Sequence, residues 1–213
     1  MLPGIPEDLL ALYRPLSPWE SFYLRNRWRL CPYGAIEACL PREGRILDFG
    51  CGYGLLANLL VLRGPSREVV GIDLNRGRIE TARRSVKGRR NLSFRFGDIQ
   101  RLGPERFHAV VMTDVLHHID DARTAALMYR IRDSLMKGGM LTVLDVDRRP
   151  RWKSAAARAI DRLLNPGQRL YYRSRAETTE LLAAFGLHPE KVYPVHRGLP
   201  LSDVLYLCRK QGG

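Results

Sequence analysis

Apolar positions along the chain fall into short runs separated by stretches of helical spacing, and the two kinds alternate. Residues 45–49 (RILDF) read as a strand ending at Gly50, followed by a helix over 55–62 that Gly64-Pro65 closes. Residues 68–74 (EVVGIDL) predict a second strand and 76–86 a second helix. A third strand spans 92–97, with Phe94 and Phe96 on one face. The fourth, 108–113 (HAVVMT), follows Gly103-Pro104. A helix over 124–136 ends at Gly138-Gly139, and 140–146 is nearly unbroken in apolar residues, as a strand buried on both faces should be. The last helix, 177–184, precedes strands over 191–196 and 204–208, joined across 198–201. A connection that short serves antiparallel strands alone. The pattern predicts an α/β fold: a mostly parallel seven-stranded sheet, helices on both faces, and an antiparallel strand near the C-terminus.

The reading is one domain over 1–213, in four parts. Residues 45–147 and 177–213 carry the alternating elements. Residues 1–44 form a helical cap broken by Pro15, Pro18 and Pro32, and 148–176 are a basic insertion. In open parallel sheets ligands bind beyond the carboxyl ends of the strands, and both extra stretches can reach that edge. In the cap, residues 19–28 mix aromatic and basic side chains, with Tyr23 and Arg27 as candidate substrate contacts; a helix packed on the sheet explains them equally. In the insertion, Trp152, Ala155, Ala156, Ala159, Ile160, Leu163 and Leu164 recur at helical spacing among Arg151, Lys153, Arg158 and Arg162. Such a helix can lie on an anionic membrane surface, cover a greasy substrate, or dock on its own sheet. Tyr171-Tyr172-Arg173 comes next, with Tyr172 a candidate pocket residue.

Charge sharpens this picture. The formal net charge is +13, and residues 148–175 hold nine basic side chains against Asp161. That points to an anionic partner, with a membrane surface or an acyl carrier protein as candidates, or to solvated helix faces. No apolar run is long enough to span a bilayer, and Glu7 and Asp8 stand where a signal peptide would be basic, so the expected location is cytoplasmic, with peripheral membrane contact as the variant. Four cysteines without metal-ligand spacing argue against a zinc site, and no metal is expected. Oligomeric state is not legible.

The chemistry-bearing residues sit at strand ends. Asp48-Phe49-Gly50-Cys51-Gly52-Tyr53-Gly54 puts three alternating glycines straight after a buried strand, where backbone can approach a ligand closely and a helix N-terminus lies just beyond. Asp73 ends the second strand, placed to accept from two ribose hydroxyls. Asp98-Ile99 comes after the third, where a carboxylate can meet an adenine amino group or cap a helix.

Together ILDFGCGYGLLA, GIDLN, FRFGDIQ and FHAVVMTDVLHHIDD resemble the successive motifs of class I S-adenosylmethionine-dependent methyltransferases. The resemblance covers residues 44–147 and the terminal strand pair, and it implies a Rossmann-like fold. VLHHIDD points to the subset acting on small molecules, lipids and quinones. By the same resemblance Gly50, Cys51, Gly52 and Gly54 wrap the methionyl moiety with Asp48 organising the loop, Asp73 holds the ribose, and Leu74 lies against the adenine. Asp98 and Ile99 read the adenine edge, and Thr113 contacts the methionyl part of S-adenosylmethionine or of the product S-adenosylhomocysteine.

A sulfonium methyl is already activated, so alignment is the main task, and a base matters where the acceptor must lose a proton. His117 is the candidate base and His118 a pocket contact; both can also be structural. The acceptor atom (O, N or C) stays open. RNA methylation is the alternative that the charge suggests, but the fourth strand ends in Thr-Asp-Val-Leu-His rather than Asn/Asp-Pro-Pro-aromatic, and no RNA-binding module is recognisable, so nucleic acid is not the expected partner. A non-catalytic scaffold that binds the cofactor is the other alternative.

Overall fold

The computed structural model describes residues 4–99, 103–164, 167, 169–195 and 201–211. Seven strands form one sheet: β1 (Gly44–Phe49), β2 (Arg67–Asp73), β3 (Leu92–Phe96), β4 (Phe107–Thr113), β5 (Leu135–Val146), β6 (Leu187–Pro194) and β7 (Asp203–Lys210), in the order β3-β2-β1-β4-β5-β7-β6. β1 pairs parallel with β2, and β2 with β3. β7 runs antiparallel to both β5 and β6, which agrees with the expected reversal at the C-terminal end. The chain divides into two compact units, Met1–Val111 and Met112–Gly213.

In the first unit the N-terminal stretch forms α1 (Glu7–Ala11), α2 (Pro18–Leu30) and α3 (Tyr33–Cys39). Pro18 begins a helix rather than breaking one. It sits at the first helical position, where no backbone N–H is needed, and Ser17 and Glu20 close a reciprocal capping box ahead of it. α4 (Leu55–Arg63) and α5 (Arg76–Arg84) come after β1 and β2. α5 stops short of the expected Val86: the Ser85 hydroxyl donates to the Ala82 carbonyl at 2.6 Å, and Lys87 and Gly88 take positive φ. Ile46, Leu47, Leu60, Val69, Ile72 and Ile79 are buried at the centre of this unit.

Arg67, at the start of β2, is 0% exposed. Its guanidinium meets Glu37 Oε1 of α3 at 2.7 Å and donates to the carbonyls of Pro41 at 2.6 Å and Leu60 at 3.0 Å. A buried cation is tolerable only when paired and hydrogen-bonded in this way. It ties α3 to the sheet.

In the second unit α6 (Asp121–Ser134) is capped by Asp120, which accepts from the Arg123 N–H at 2.9 Å. The expected gap between helix and strand at Gly138-Gly139 is instead extended chain belonging to β5. Lys210 donates to the Leu135 carbonyl at 2.7 Å and Arg209 to that of Gly138 at 3.2 Å, so basic side chains of β7 satisfy this arm before ladder pairing begins at Met140. α7 (Arg151–Leu164) and α8 (Arg175–Ala184) complete the unit. The predicted turn across 198–201 lies largely outside the described residues. Among the described residues no helix is long and apolar enough to cross a membrane.

Candidate active site

β1 delivers Asp48 to a loop that reverses through positive φ at Gly50, Gly52 and Gly54. The N–H groups of Gly50 and Cys51 both donate to the Ile72 carbonyl, at 2.8 and 3.0 Å, which pins the loop to the end of β2. At Gly54 no other residue fits: a Cβ would stand 2.4 Å from Phe94 Cζ of β3, and one at Gly71 of β2 would stand 2.5 Å from Phe94 Cδ1. Beside Gly52 a Cβ would meet nothing within 4 Å, so the loop is open on that side. α4 starts directly after Gly54 with no side-chain cap, leaving its first-turn N–H groups to other acceptors.

Asp73 ties this loop to the segment that begins α5. Its Oδ2 accepts from the Gly52 N–H at 2.9 Å and its Oδ1 from that of Asn75 at 2.7 Å. Leu74, next along, is 72% exposed, an apolar side chain with no core to join. Asp98 is exposed and Ile99 buried. The Ile99 N–H is donated to Asp98 Oδ1 at 2.5 Å, so the local turn already uses the backbone donor expected to read adenine. Cys51 has its thiol pushed well up by burial, which suits a space-filling rather than a reactive role.

The N-terminal helices close on the same loop. The Tyr13 hydroxyl donates to the Tyr53 carbonyl at 3.0 Å, and the Tyr23 ring packs on that of Tyr53 at 4.7 Å beneath the Arg78 guanidinium. Arg27 lends positive charge toward Asp48. Tyr23 and Arg27, taken from sequence as substrate contacts, therefore lie around the glycine loop. Asp48 itself is 1% exposed, and no hydrogen bond reaches either carboxylate oxygen. Burial pushes its carboxyl up to about 7; the nearby Ala57 N–H, which does not reach hydrogen-bonding geometry, and Arg27 favour the charge, while Asp73 opposes it. Because the folded value is raised, the stability contributed by the protonated form is complete below about pH 4 and lost as the pH rises through 7, a cost on the order of 4 kcal/mol. Urea titrations are expected to show the unliganded protein weakening between about pH 4 and 7, and Asp48→Asn removing most of that slope.

In the second unit Thr113 is buried at the end of β4, and Asp114 is next, in the left-handed region at φ 54°. A single 3-10 turn, Leu116–His118, then carries His117 inward. His117 is buried, and its Nδ1 is hydrogen-bonded to Asp145 Oδ1 of β5, a carboxylate also held by the Val146 N–H at 2.8 Å. A carboxylate only accepts, so the proton sits on Nδ1 and the lone pair on Nε2. His118 is half-buried, its ring 4.2 Å from that of His117. Tyr172 is buried and sets its ring edge-on to His117 at 5.2 Å. The Tyr171 N–H donates to the His117 carbonyl at 2.7 Å, while Arg173 donates to the carbonyls of Leu116 and Ile119, both at 3.2 Å. The structure thus joins His117, His118 and Tyr172, brings Arg173 of the same Tyr171-Tyr172-Arg173 stretch against the turn, and adds one residue that sequence reasoning missed, Asp145. The signal for Asp145 was a carboxylate inside an otherwise apolar strand.

Of the seven apolar positions that the spacing marked in α7, the three with described side chains are exposed. Trp152 is 63% exposed, and Ala155 and Ala159 are exposed. The buried positions are Ser154 and Ala157, the latter packed with Val146 and Tyr172. The side chains of Ala156, Ile160, Leu163 and Leu164 lie outside the described residues. A cleft of about 470 Å³ runs along the helix, lined by Arg148, Arg151, Arg158, Arg162, Ser154 and Ala155.

A family described as "Methyltransferase domain" matches residues 46–139, the stretch that holds the glycine loop, Asp73 and His117. A ubiquinone biosynthesis O-methyltransferase of Bradyrhizobium sp. is 34% identical over 154 residues, covering 71% of this chain and 58% of that protein. The protein of the same name from Dinoroseobacter shibae is 30% identical over 195 residues, 85% of this chain and 77% of that one. In the first case the chain spans less than two thirds of its relative's length. Among solved structures, the Burkholderia thailandensis 1,6-didemethyltoxoflavin-N1-methyltransferase, bound to S-adenosylhomocysteine, matches with a TM-score of 0.69 at 24% identity, over 97% of this chain and 91% of that one.

Proposed function

Because the chain belongs to the class I S-adenosylmethionine-dependent methyltransferases, we propose that it methylates a hydroxyl oxygen of a small-molecule acceptor. The observation that carries this reading is the buried His117–Asp145 pair. A neutral hydroxyl must shed its proton to become a good nucleophile, and a positioned imidazole is the side chain suited to take it near neutral pH. The names of the two O-methyltransferase relatives support the choice of oxygen.

The first unit's residues fit the cofactor. Asp48 is a buried carboxylate with no hydrogen bond, the partner a methionyl ammonium needs. Gly50, Cys51, Gly52 and Gly54 offer a backbone turn open beside Gly52, Asp73 offers acceptors for ribose hydroxyls, and Leu74 an exposed apolar face for adenine. Asp98, Ile99 and Thr113 are the remaining contacts of this assignment. When bound, S-adenosylmethionine supplies a methyl group already activated by its sulfonium sulfur. His117 Nε2 takes up the acceptor's hydroxyl proton, and Asp145 holds the imidazole in the tautomer that can do so and stabilises the imidazolium that results.

The test is a panel of phenols and catechols beside the matching anilines, with S-adenosylhomocysteine release as readout. Methyl ethers should form. Methylation of the anilines alone would overturn the oxygen assignment. In calorimetry Asp73→Ala should weaken S-adenosylhomocysteine by about 10–100-fold, the worth of hydrogen bonds to a charged group; unchanged affinity would remove Asp73 from the ribose.

A further inference from the structure

Methyl transfer alone does not account for the arginine face of α7. Arg151, Ala155, Arg158 and Arg162 are spaced at i, i+4, i+7, i+11, which sets them on one side of the helix over about 16 Å of its length. Arg158 and Arg162 stand one turn apart, a like-charge spacing that weakens a helix. Arg148 pairs with Glu177 at 3.0 Å. Among the described residues no carboxylate meets Arg151, Arg158 or Arg162. Three guanidinium-bearing side chains therefore line one concave surface, and among the described residues no carboxylate offsets their mutual repulsion. An anion would offset it, and the planar fork of each guanidinium matches a carboxylate or phosphate with two parallel hydrogen bonds.

Position says which anion this is. The Arg158 guanidinium lies over the Tyr172 ring at 5.1 Å, and that ring sets its edge against His117 at 5.2 Å. The cleft is thus one aromatic ring away from the imidazole that takes the proton. Its volume, about 470 Å³, leaves room for a carboxylate or phosphate group among the arginines. We infer that the α7 cleft holds a carboxylate or phosphate of the acceptor, so that the substrate class is an acidic hydroxy compound of small-molecule size. Assigning the anion to the acceptor rests on the oxygen-acceptor reading; the anion site itself does not.

The experiment titrates citrate and pyrophosphate into the full chain saturated with S-adenosylhomocysteine, with phosphatidylglycerol vesicles as a separate arm. At least one free anion should bind, and Arg151→Gln/Arg162→Gln should raise its Kd by about tenfold or more. S-Adenosylhomocysteine affinity, which reports the fold, should stay within about twofold in the same variant. Arginine-dependent binding of a free anion supports the proposal. Its absence overturns it, and if the vesicles bind in that case the arginines serve a lipid headgroup at a surface. If the phenol and aniline panel fails while the anion still binds through these arginines, the oxygen reading falls and the anion site stands.

Discussion

His117→Gln is expected to lower turnover by about 10²–10⁴-fold, the contribution of a positioned base, while leaving S-adenosylhomocysteine affinity unchanged. The split matters because glutamine keeps the bulk of the side chain and can still donate to Asp145 but cannot take up a proton at neutral pH. Asp145 works through His117 as a positioning residue, so its variant needs a different readout. In Asp145→Asn the amide can donate to Nδ1, which moves the ring proton to Nε2 and blocks the lone pair. The wild-type rate should rise with pH as the imidazole loses its proton and then level off. Asp145→Asn should lose that limb as well as most of its rate. A merely structural Asp145 would lower stability and leave the shape of the pH profile alone. Full activity in His117→Gln would remove the proton-taking role.

Arg67→Met should destabilise the protein by about 3–5 kcal/mol, the usual cost of leaving one partner of a buried ion pair alone. Among the described residues Glu37 would keep Arg42, whose side chain is 69% exposed, and the carbonyls of Pro41 and Leu60 would lose a donor each. Urea melts measure the effect directly. Arg67→Met/Glu37→Gln should recover part of the loss, because no isolated buried charge then remains. Equal stability of wild type and Arg67→Met would mean that α3 is held to the sheet by apolar contact alone.

Much of the fold was legible because its signals are local. Apolar runs bounded by Gly50, Gly64 and Gly186 mark strand and helix ends, and Asp48 and Asp73 lie at strand termini where the pattern put them. Sequence reading also singled out His117 and Tyr172, which the structure places in contact. What escaped depends on pairings across long separations. Asp145 lies 28 residues from His117 and Arg67 lies 30 from Glu37, and neither partner announces the other. In α7 the alanines are too small to fix a buried side by hydrophobicity: Ala157 packs on Tyr172, while Ala155 and Ala159 are exposed.

Phe94 also has a bearing on descent. Its ring occupies the volume where side chains at 54 and 71 would begin, so three positions on three different segments hold one shared space. A sequence that replaces Gly71 by alanine needs 94 to shrink in the same lineage, and even then a Cβ at 71 stands 2.9 Å from Cys51 Sγ, while position 54 keeps its positive φ. These sites should therefore drift as a set, and the glycine loop inherits its tolerance to change from a phenylalanine two strands away.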